Sequence, residues 1–377
     1  MILKLLDFIK QHDNWEELLT KDPYNLKVSR DNGYIMFKYN QLNSDFNLPE
    51  VQEARGIIFR ESDWKCVCHP FNKFGNYGES YCPEIDWSTA SVQEKIDGSL
   101  MKVWFDETWH ISTNGTIDAF KAPLECANKE ITSYGDLFIY CLHSMGIDEH
   151  DFFGRLNSQL TYMFEMVSPY NRVVIEYNEP RIYFLGVRDN ETNEEFMIDR
   201  WNEHGVDLMI EAVEEILPIP KRYPLFSLEE VKTAANALPW NEEGYVVCDA
   251  NFNRVKIKSP EYVLAHHGRT NGNVSISRLL EIILNNEVDE FLIYAEEYKD
   301  KINNLISEME LFKTQVKLEI VNLNPSNYTS RKEYAEVVKK YPSYMQYFLF
   351  RYEDVEKEFK EITISGWKKI LSGRGVI

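Results

Sequence analysis

The sequence predicts an α+β fold in which antiparallel sheets fill the first two-thirds of the chain and an all-α segment follows. Two observations carry this. Up to Lys258 the 377-residue chain alternates short runs rich in β-branched and aromatic residues with turn residues, the pattern of strands. Beyond Ser259-Pro260 it changes to long stretches with apolar residues at helical spacing. A third observation sets the scale: 44% hydrophobic and 14% aromatic residues over this length give two or three folded domains with ample core.

Taken in order, Leu3, Leu5, Leu6, Phe8 and Ile9 have helical spacing, and residues 15–19 extend that pattern as scaffold. Strands are then expected at residues 34–39, 56–60, 99–105, 109–113, 162–167, 172–175, 182–187, 244–249 and 254–258, with Asn114-Gly115 as a hairpin turn. Helical patterns intervene at 119–133, 201–216 and 227–237, and antiparallel sheets with interspersed helices make an α+β domain. After residue 260 the amphipathic runs are 276–284, 288–320, 331–340 and 355–371, with Pro325 and Pro342 as breaks. The expected domains are therefore 1–260 and 261–377.

No apolar run reaches the roughly 20 residues that span a bilayer, and residues 1–12 interleave acidic and basic side chains unlike a secretion signal. The expected location is the cytoplasm, away from membranes. Cys66, Cys68, Cys82, Cys126, Cys141 and Cys248 are too sparse for a disulfide scaffold and lack Cys-x-x-Cys spacing for zinc; Cys66 and Cys68 suit small core positions on a strand. The net charge of −20 excludes binding of nucleic acid by broad electrostatic attraction. Residues 262–377 hold 16 Lys/Arg against 17 Asp/Glu, so the acidity lies almost wholly in the first 261 residues. Any polynucleotide contact must come from local basic clusters.

The chemistry-bearing residues start with Lys95-Ile96-Asp97-Gly98, which can present a primary amine at a tight turn and which, alone, reads equally as a solvated turn. An ordinary lysine amine is unprotonated in only about one molecule in a few thousand at neutral pH. Burial or nearby positive charge would favour the neutral amine. Lys256 and Lys258, on one face of a strand by their spacing of two, could supply that charge; as an isolated pair they read as a solvated edge. Glu165 lies in an otherwise apolar strand, where an acid is also compatible with an edge. Tyr39 on a strand is compatible with a core position.

These residues occur in a series: Glu53-Ala54-Arg55-Gly56, Phe71-Asn72-Lys73-Phe74, Lys95-Ile96-Asp97-Gly98, Phe164-Glu165, Glu243-Gly244-Tyr245-Val246 and Val255-Lys256-Ile257-Lys258. The series resembles the covalent nucleotidyltransferases, and among them the bacteriophage-type ATP-dependent RNA ligases that repair broken tRNA anticodon loops. The resemblance implies an adenylation domain followed by a helical domain, with ATP and Mg²⁺ as cofactors. It implies Lys95 as the nucleophile that forms lysyl-AMP, and a nucleotide site made of Tyr39, Arg55, Lys73, Lys95, Glu165, Glu243, Lys256 and Lys258. Arg55 and Lys73 would hold the polyphosphate or an incoming 5′-phosphate, and Lys256 and Lys258 the α-phosphate. Glu165 would accept a ribose hydroxyl or hold a hydrated metal ion. Metal ligands would be Glu243 and, in the helical domain, Asp289, beside Glu290; a solvated helix face fits those two acids as well. His266-His267-Gly268-Arg269 reads either as a phosphate-contacting hinge or as a polar connector.

The implied partners are RNA with 5′-phosphate and 3′-hydroxyl ends, nicked tRNA among them, acted on by a monomer. Two other readings share parts of the pattern: a non-catalytic RNA-end binding protein, and a DNA ligase or capping-type nucleotidyltransferase. DNA ligases and capping enzymes continue into a β-barrel, which the helical periodicity after residue 260 opposes.

Overall fold

A computed structural model of the chain describes residues 3–41, 43–196, 212–266, 274–285, 287, 288, 291, 292 and 295–377. They fall into two compact units, Met1–His266 and His267–Ile377.

The first unit contains three antiparallel sheets. One has the order β1 (Lys27–Asp31), β2 (Tyr34–Lys38), β3 (Arg55–Arg60), β4 (Cys66–Cys68). The helices Lys4–Gln11, Trp15–Leu19 and Pro49–Glu53 cover it through Leu5, Ile9, Leu19 and Val51, packed against Ile35, Phe37, Ile57 and Phe59. The next strands along the chain are β5 (Ser91–Glu94), β6 (Ser99–Asp106), β7 (Thr108–Thr113), β8 (Leu160–Val167), β9 (Arg181–Asp189), β10 (Glu195–Phe196) and β11 (Arg222–Tyr223), and the second sheet has the order β10-β9-β8-β6-β7. Helix Tyr134–Ser144 packs on it through Leu137, Phe138 and Cys141 against Met101, Val103 and Phe164. The third sheet is β11-β5-β12-β13, with β12 at Gly244–Cys248 and β13 at Arg254–Lys258, and helix Leu228–Asn236 against it through Val231 and Ala235.

The alternation of side chains along a strand lets β6 serve two cores. Met101 and Val103 face the helices, while Trp104 joins Met36, Ile58 and Cys68 between the first two sheets. Lys102 lies on that same inter-sheet face of β6 and is fully buried.

Several elements differ from the sequence expectation for local reasons. Residues 119–133 form one 3₁₀ turn, Ala119–Lys121, and the helix starts at Tyr134 instead, where the Ser133 side chain accepts from the Asp136 N–H; Pro123 lacks the N–H that a continuing helix needs. Residues 172–175 form no strand, because the Val174 and Ile175 N–H groups donate to the Asp97 carboxylate. The β6–β7 hairpin turns at Glu107, which has φ +61°, and Asn114-Gly115 follows β7. The expected helix at 201–216 falls mostly on residues outside those described.

In the second unit the helices are Ile276–Leu284, Lys299–Leu323, Arg331–Val338, Ser343–Phe350, Val355–Lys360 and Ile364–Gly373. Their core gathers around Phe312, which meets Phe348, Phe359 and Trp367 edge-on at 5.4–6.4 Å. The expected run 355–371 is two helices, the second capped by Thr363, whose hydroxyl accepts from the Gly366 N–H. No helix among the described residues is long and apolar enough to cross a membrane.

Candidate functional site

Lys95 sits on the connection between β5 in the third sheet and β6 in the second, so its turn bridges two sheets. The turn is fixed at its start by the Lys95 N–H donating to the Gly244 carbonyl at 2.9 Å. Asp97 fixes the other end. Its Oδ2 accepts from Val174 and Ile175 N–H at 2.9 and 2.7 Å, its Oδ1 accepts from the Tyr262 hydroxyl at 2.8 Å, and its own N–H donates to Tyr177. Gly98 is required by close approach: a Cβ there would lie 2.5 Å from the Met166 carbonyl oxygen and 3.1 Å from Glu165 Cγ.

The Lys95 amine pairs with Glu243 Oε2 at 2.7 Å, and Lys258 Nζ stands 3.6 Å from Glu243 Oε1. Glu243 is 4% exposed, so its carboxylate faces two ammonium groups in a poorly solvated place. The pairing has a backbone cause. Gly244 lies opposite Lys258 in the β12–β13 register, and the Ser259 N–H donates to the Glu243 carbonyl. A Cβ on Gly244, whose φ is +135°, would fall 2.3 Å from the Ile257 oxygen, so only glycine lets the two strands meet this closely. The expected proximity of Lys258 to Lys95 is thus present with Glu243 between them.

Glu165, on β8 opposite Leu100, is pushed up to about 7 by burial; the Lys95 and Arg55 charges oppose the rise and the Glu243 charge adds to it.

Residues 75–77 run along β13: Lys256 N–H donates to the Gly75 carbonyl and Tyr77 N–H to the Lys256 carbonyl, at 2.9 and 2.8 Å. This brings the Phe74 ring to Lys256, whose Nζ lies 5.3 Å from its centroid, and the Arg55 guanidinium approaches the same ring at 4.9 Å. Arg55 Nη1 is buried with no hydrogen-bond partner among the described residues. A guanidinium N–H left so is a ready donor to an anion. Phe74 lies within a quoted motif, but nothing in the sequence shows that two cations share its ring.

Lys73 and Tyr39 lie together in a separate group. The Lys73 amine sits among the rings of Phe46, Tyr39 and Tyr81 at 4.8, 5.3 and 5.9 Å, a cation–π cage, and the Lys73 backbone N–H donates to the Gln52 carbonyl. Glu53, at the start of the first motif, is structural: its carboxylate accepts from the Lys4 and Leu5 N–H groups and caps the first helix. Asp289 and Glu290 lie outside the described residues, as do residues 267–273 of the polar connector. His266 stacks on Tyr262 with ring centroids 6.1 Å apart. Among the described residues, no group of three or more His, Cys, Asp or Glu side chains is arranged to hold a metal ion.

Lys102 is a cation the sequence reading passed over. Its amine donates to the Gly56 carbonyl, and burial holds it down at about 8, with the Arg55 and Lys38 charges adding to that effect. Its signal is a lysine between Met101 and Val103 on a strand buried on both faces.

A family model described as RNA ligase matches residues 53–262, more than half of the chain and all six motifs. The chain belongs to the RNA ligase family. It is 27% identical over 402 residues to an RNA ligase of Rhodothermus phage RM378, covering 90% of this chain and 88% of that one. A protein of Autographa californica nuclear polyhedrosis virus, described as a candidate bifunctional polynucleotide kinase/RNA ligase, is 28% identical over 370 residues, which is 91% of this chain and 49% of that protein. Among solved structures, an archaeal ATP-dependent RNA ligase is a distant likeness, 13% identical with TM-score 0.45 over 83% of each chain. RNA ligase membership expected from the motif series is borne out, and with it an enzyme that acts on RNA.

Proposed function

We propose that this RNA ligase joins RNA 5′-phosphate and 3′-hydroxyl ends with ATP, through an adenylate carried on Lys95. The observation that carries this reading is the Lys95 amine, one-fifth exposed on a turn between two sheets and paired with Glu243 beside Lys258. The residues present fit a nucleoside triphosphate. Arg55 offers an unpartnered buried N–H, and Arg55 and Lys256 converge on Phe74. Glu165 and Glu243 supply hard oxygen donors of the kind Mg²⁺ takes. When bound, Mg²⁺ would neutralise charge on the phosphate oxygens, and Glu243 is the candidate to hold it.

In the first step the Lys95 amine gives up a proton to solvent before it attacks. A P–N bond then forms at the α-phosphorus as the bond to pyrophosphate breaks. Next an oxygen of the RNA 5′-phosphate displaces Lys95, and finally the 3′-hydroxyl displaces AMP. Each is an in-line phosphoryl transfer, so positioning and cations do most of the catalysis. Lys256 and Lys258 serve the α-phosphate, Arg55 and Lys73 the outer phosphates or the RNA 5′-phosphate, and Tyr39 the nucleotide side of the site. Residues 1–260 form the adenylating domain, and the helical residues 261–377 steer a monomeric, cytoplasmic enzyme toward structured RNA such as nicked tRNA.

Incubation with α-labelled ATP and magnesium tests this. Label should appear on the protein, survive alkali, be released by acid as a phosphoramidate is, and vanish in Lys95→Ala. Absence of label on the native protein, or label retained by the variant, overturns the reading. Labelling by GTP instead would indicate capping chemistry, and sealing confined to nicked duplex DNA would indicate a DNA ligase.

A further inference from the structure

A row of like charges crosses the first sheet at the end where β3 begins. In the antiparallel register Lys27 of β1 stands opposite Lys38 of β2, and Lys38 stands opposite Arg55 of β3, where a β-bulge interrupts the pairing. By strand alternation Lys27 and Lys38 share the face of Met36, which packs toward the second sheet with Trp104. Lys102 reaches the same place from β6, where its amine donates to the Gly56 carbonyl. Two glycines make the approach possible. A Cβ on Gly56, at φ +83°, would lie 2.7 Å from Lys102 Nζ and 2.9 Å from the Asn114 carbonyl oxygen, and one on Gly115 would lie 3.0 Å from Lys38 Nζ.

Like charges directly opposite one another across a sheet destabilise it. Burial lowers the proton affinity of the Lys102 amine, and the Arg55 and Lys38 charges lower it further. Elsewhere in the chain carboxylates relieve such groups, as Glu195 does for Arg188 and Arg254 and Glu243 for Lys95 and Lys258. Among the described residues no carboxylate pairs with Lys27, Lys38, Arg55 or Lys102, although the net charge is −20. Arg55 Nη1 is buried without an acceptor as well. Four cations kept together without a protein anion fit an anion from outside. The row crosses two strand spacings, about 10 Å, from the exposed Lys27 on the edge strand to Arg55, which shares the Phe74 ring with Lys256. A single phosphate would fill one end of it; consecutive phosphates of a nucleic-acid strand fit its length.

We propose that Lys27 and Lys38 bind backbone phosphates of the RNA strand that carries the 5′-phosphate, with Lys102 as the buried charge behind them, and so lead that end of the RNA to Arg55. The proposal rests on Arg55 as a phosphate ligand and adds a binding surface outside the nucleotide site. It assigns the two exposed-side lysines to RNA and not to ATP. They therefore serve the steps that hold RNA, and self-adenylation proceeds without them.

The test uses the full chain carrying Lys27→Gln or Lys38→Gln. Three quantities are measured: affinity for a 5′-phosphorylated single-stranded oligoribonucleotide by fluorescence anisotropy across salt concentrations without ATP, self-adenylation across concentrations of α-labelled ATP, and the urea midpoint. Each variant should bind the RNA about 3- to 10-fold more weakly at low salt, with the slope of log affinity against log salt shallower by about 0.7. Labelling rate and half-saturating ATP should stay within about twofold of native. The urea midpoint should hold or rise, because a like-charge contact has been removed; a lysine kept for stability would lower it. Native RNA affinity and salt slope in both variants overturn the proposal. So does a raised half-saturating ATP with RNA binding intact, which would place the lysines on the triphosphate. Should Lys38→Gln fail to fold, Lys27→Gln on the exposed edge strand decides alone. Arg55→Gln, run beside these, keeps the two readings apart: native RNA binding and native half-saturating ATP in that variant refute Arg55 as a phosphate ligand, whatever the lysine variants do.

Discussion

Gly244→Ala is the substitution whose consequence can be worked through from backbone geometry. An added Cβ would lie 2.3 Å from the Ile257 oxygen and 2.7 Å from Lys258 Cα, about 1 Å inside ordinary C···O contact. Both obstacles are backbone, so no side chain can swing away, and β13 must move. Holding an alanine at φ +135° costs about 1–3 kcal/mol, and overpacking adds about 1–3 kcal/mol. The sum, about 2–6 kcal/mol, is a large part of the roughly 5–15 kcal/mol that holds a typical domain folded. The displaced strand carries Lys256 and Lys258, and Gly244 also accepts the Lys95 N–H. A 1 Å error at reacting groups costs about 100-fold in rate. Urea denaturation should therefore show a lower midpoint, and α-labelled ATP should label the variant about 100-fold more slowly. Gly33→Ala is the control: its φ is +82° with nothing within 4 Å of the added carbon, so it should lose only about 1 kcal/mol and label normally. A Gly244→Ala protein with native midpoint and native labelling rate would refute the reasoning.

Two further predictions concern buried charge. Between pH 8 and 10.5 the unfolded chain binds a proton at Lys102 that the folded chain does not, so stability rises with pH through that window, by about 3 kcal/mol in full. Lys102→Met should flatten that rise in urea titrations at pH 7.5 and 9.5; equal slopes for native and variant would contradict the burial argument. Glu195 is shared by Arg188 and Arg254, all three largely buried, and the two guanidinium groups hold its carboxyl below the usual range against the burial that raises it. Glu195→Ala should cost about 3–5 kcal/mol in guanidinium denaturation, and a loss under about 1 kcal/mol would show the network to be dispensable.

Much of the site was legible because local sequence dictates local backbone. Gly98 and Gly244 are glycines for steric reasons, Lys256 and Lys258 share a strand face by period, and Asp97 serves the turn first. What the sequence concealed is pairing at a distance. Val174 and Ile175 look like strand residues, but their N–H groups are taken by a carboxylate 77 and 78 positions earlier in the chain. Lys73 and Arg55 read as equivalent phosphate cations; only the packing of Tyr39, Phe46 and Tyr81 around one and Phe74 beside the other tells them apart. Residues 119–133 misread as helix because apolar spacing outweighed Pro123, whose missing N–H decides the matter.

The sequence by itself determined the motif series and the strand-rich part followed by helices, and it singled out the lysine proposed as nucleophile, since each follows from residue type and spacing along a short stretch of chain. The tertiary structure decided that the Lys95 amine pairs with Glu243, and that the Tyr262 hydroxyl donates to Asp97 in the same turn. Those contacts join residues about 150 positions apart, and no local periodicity encodes which of several buried acids will neutralise which amine.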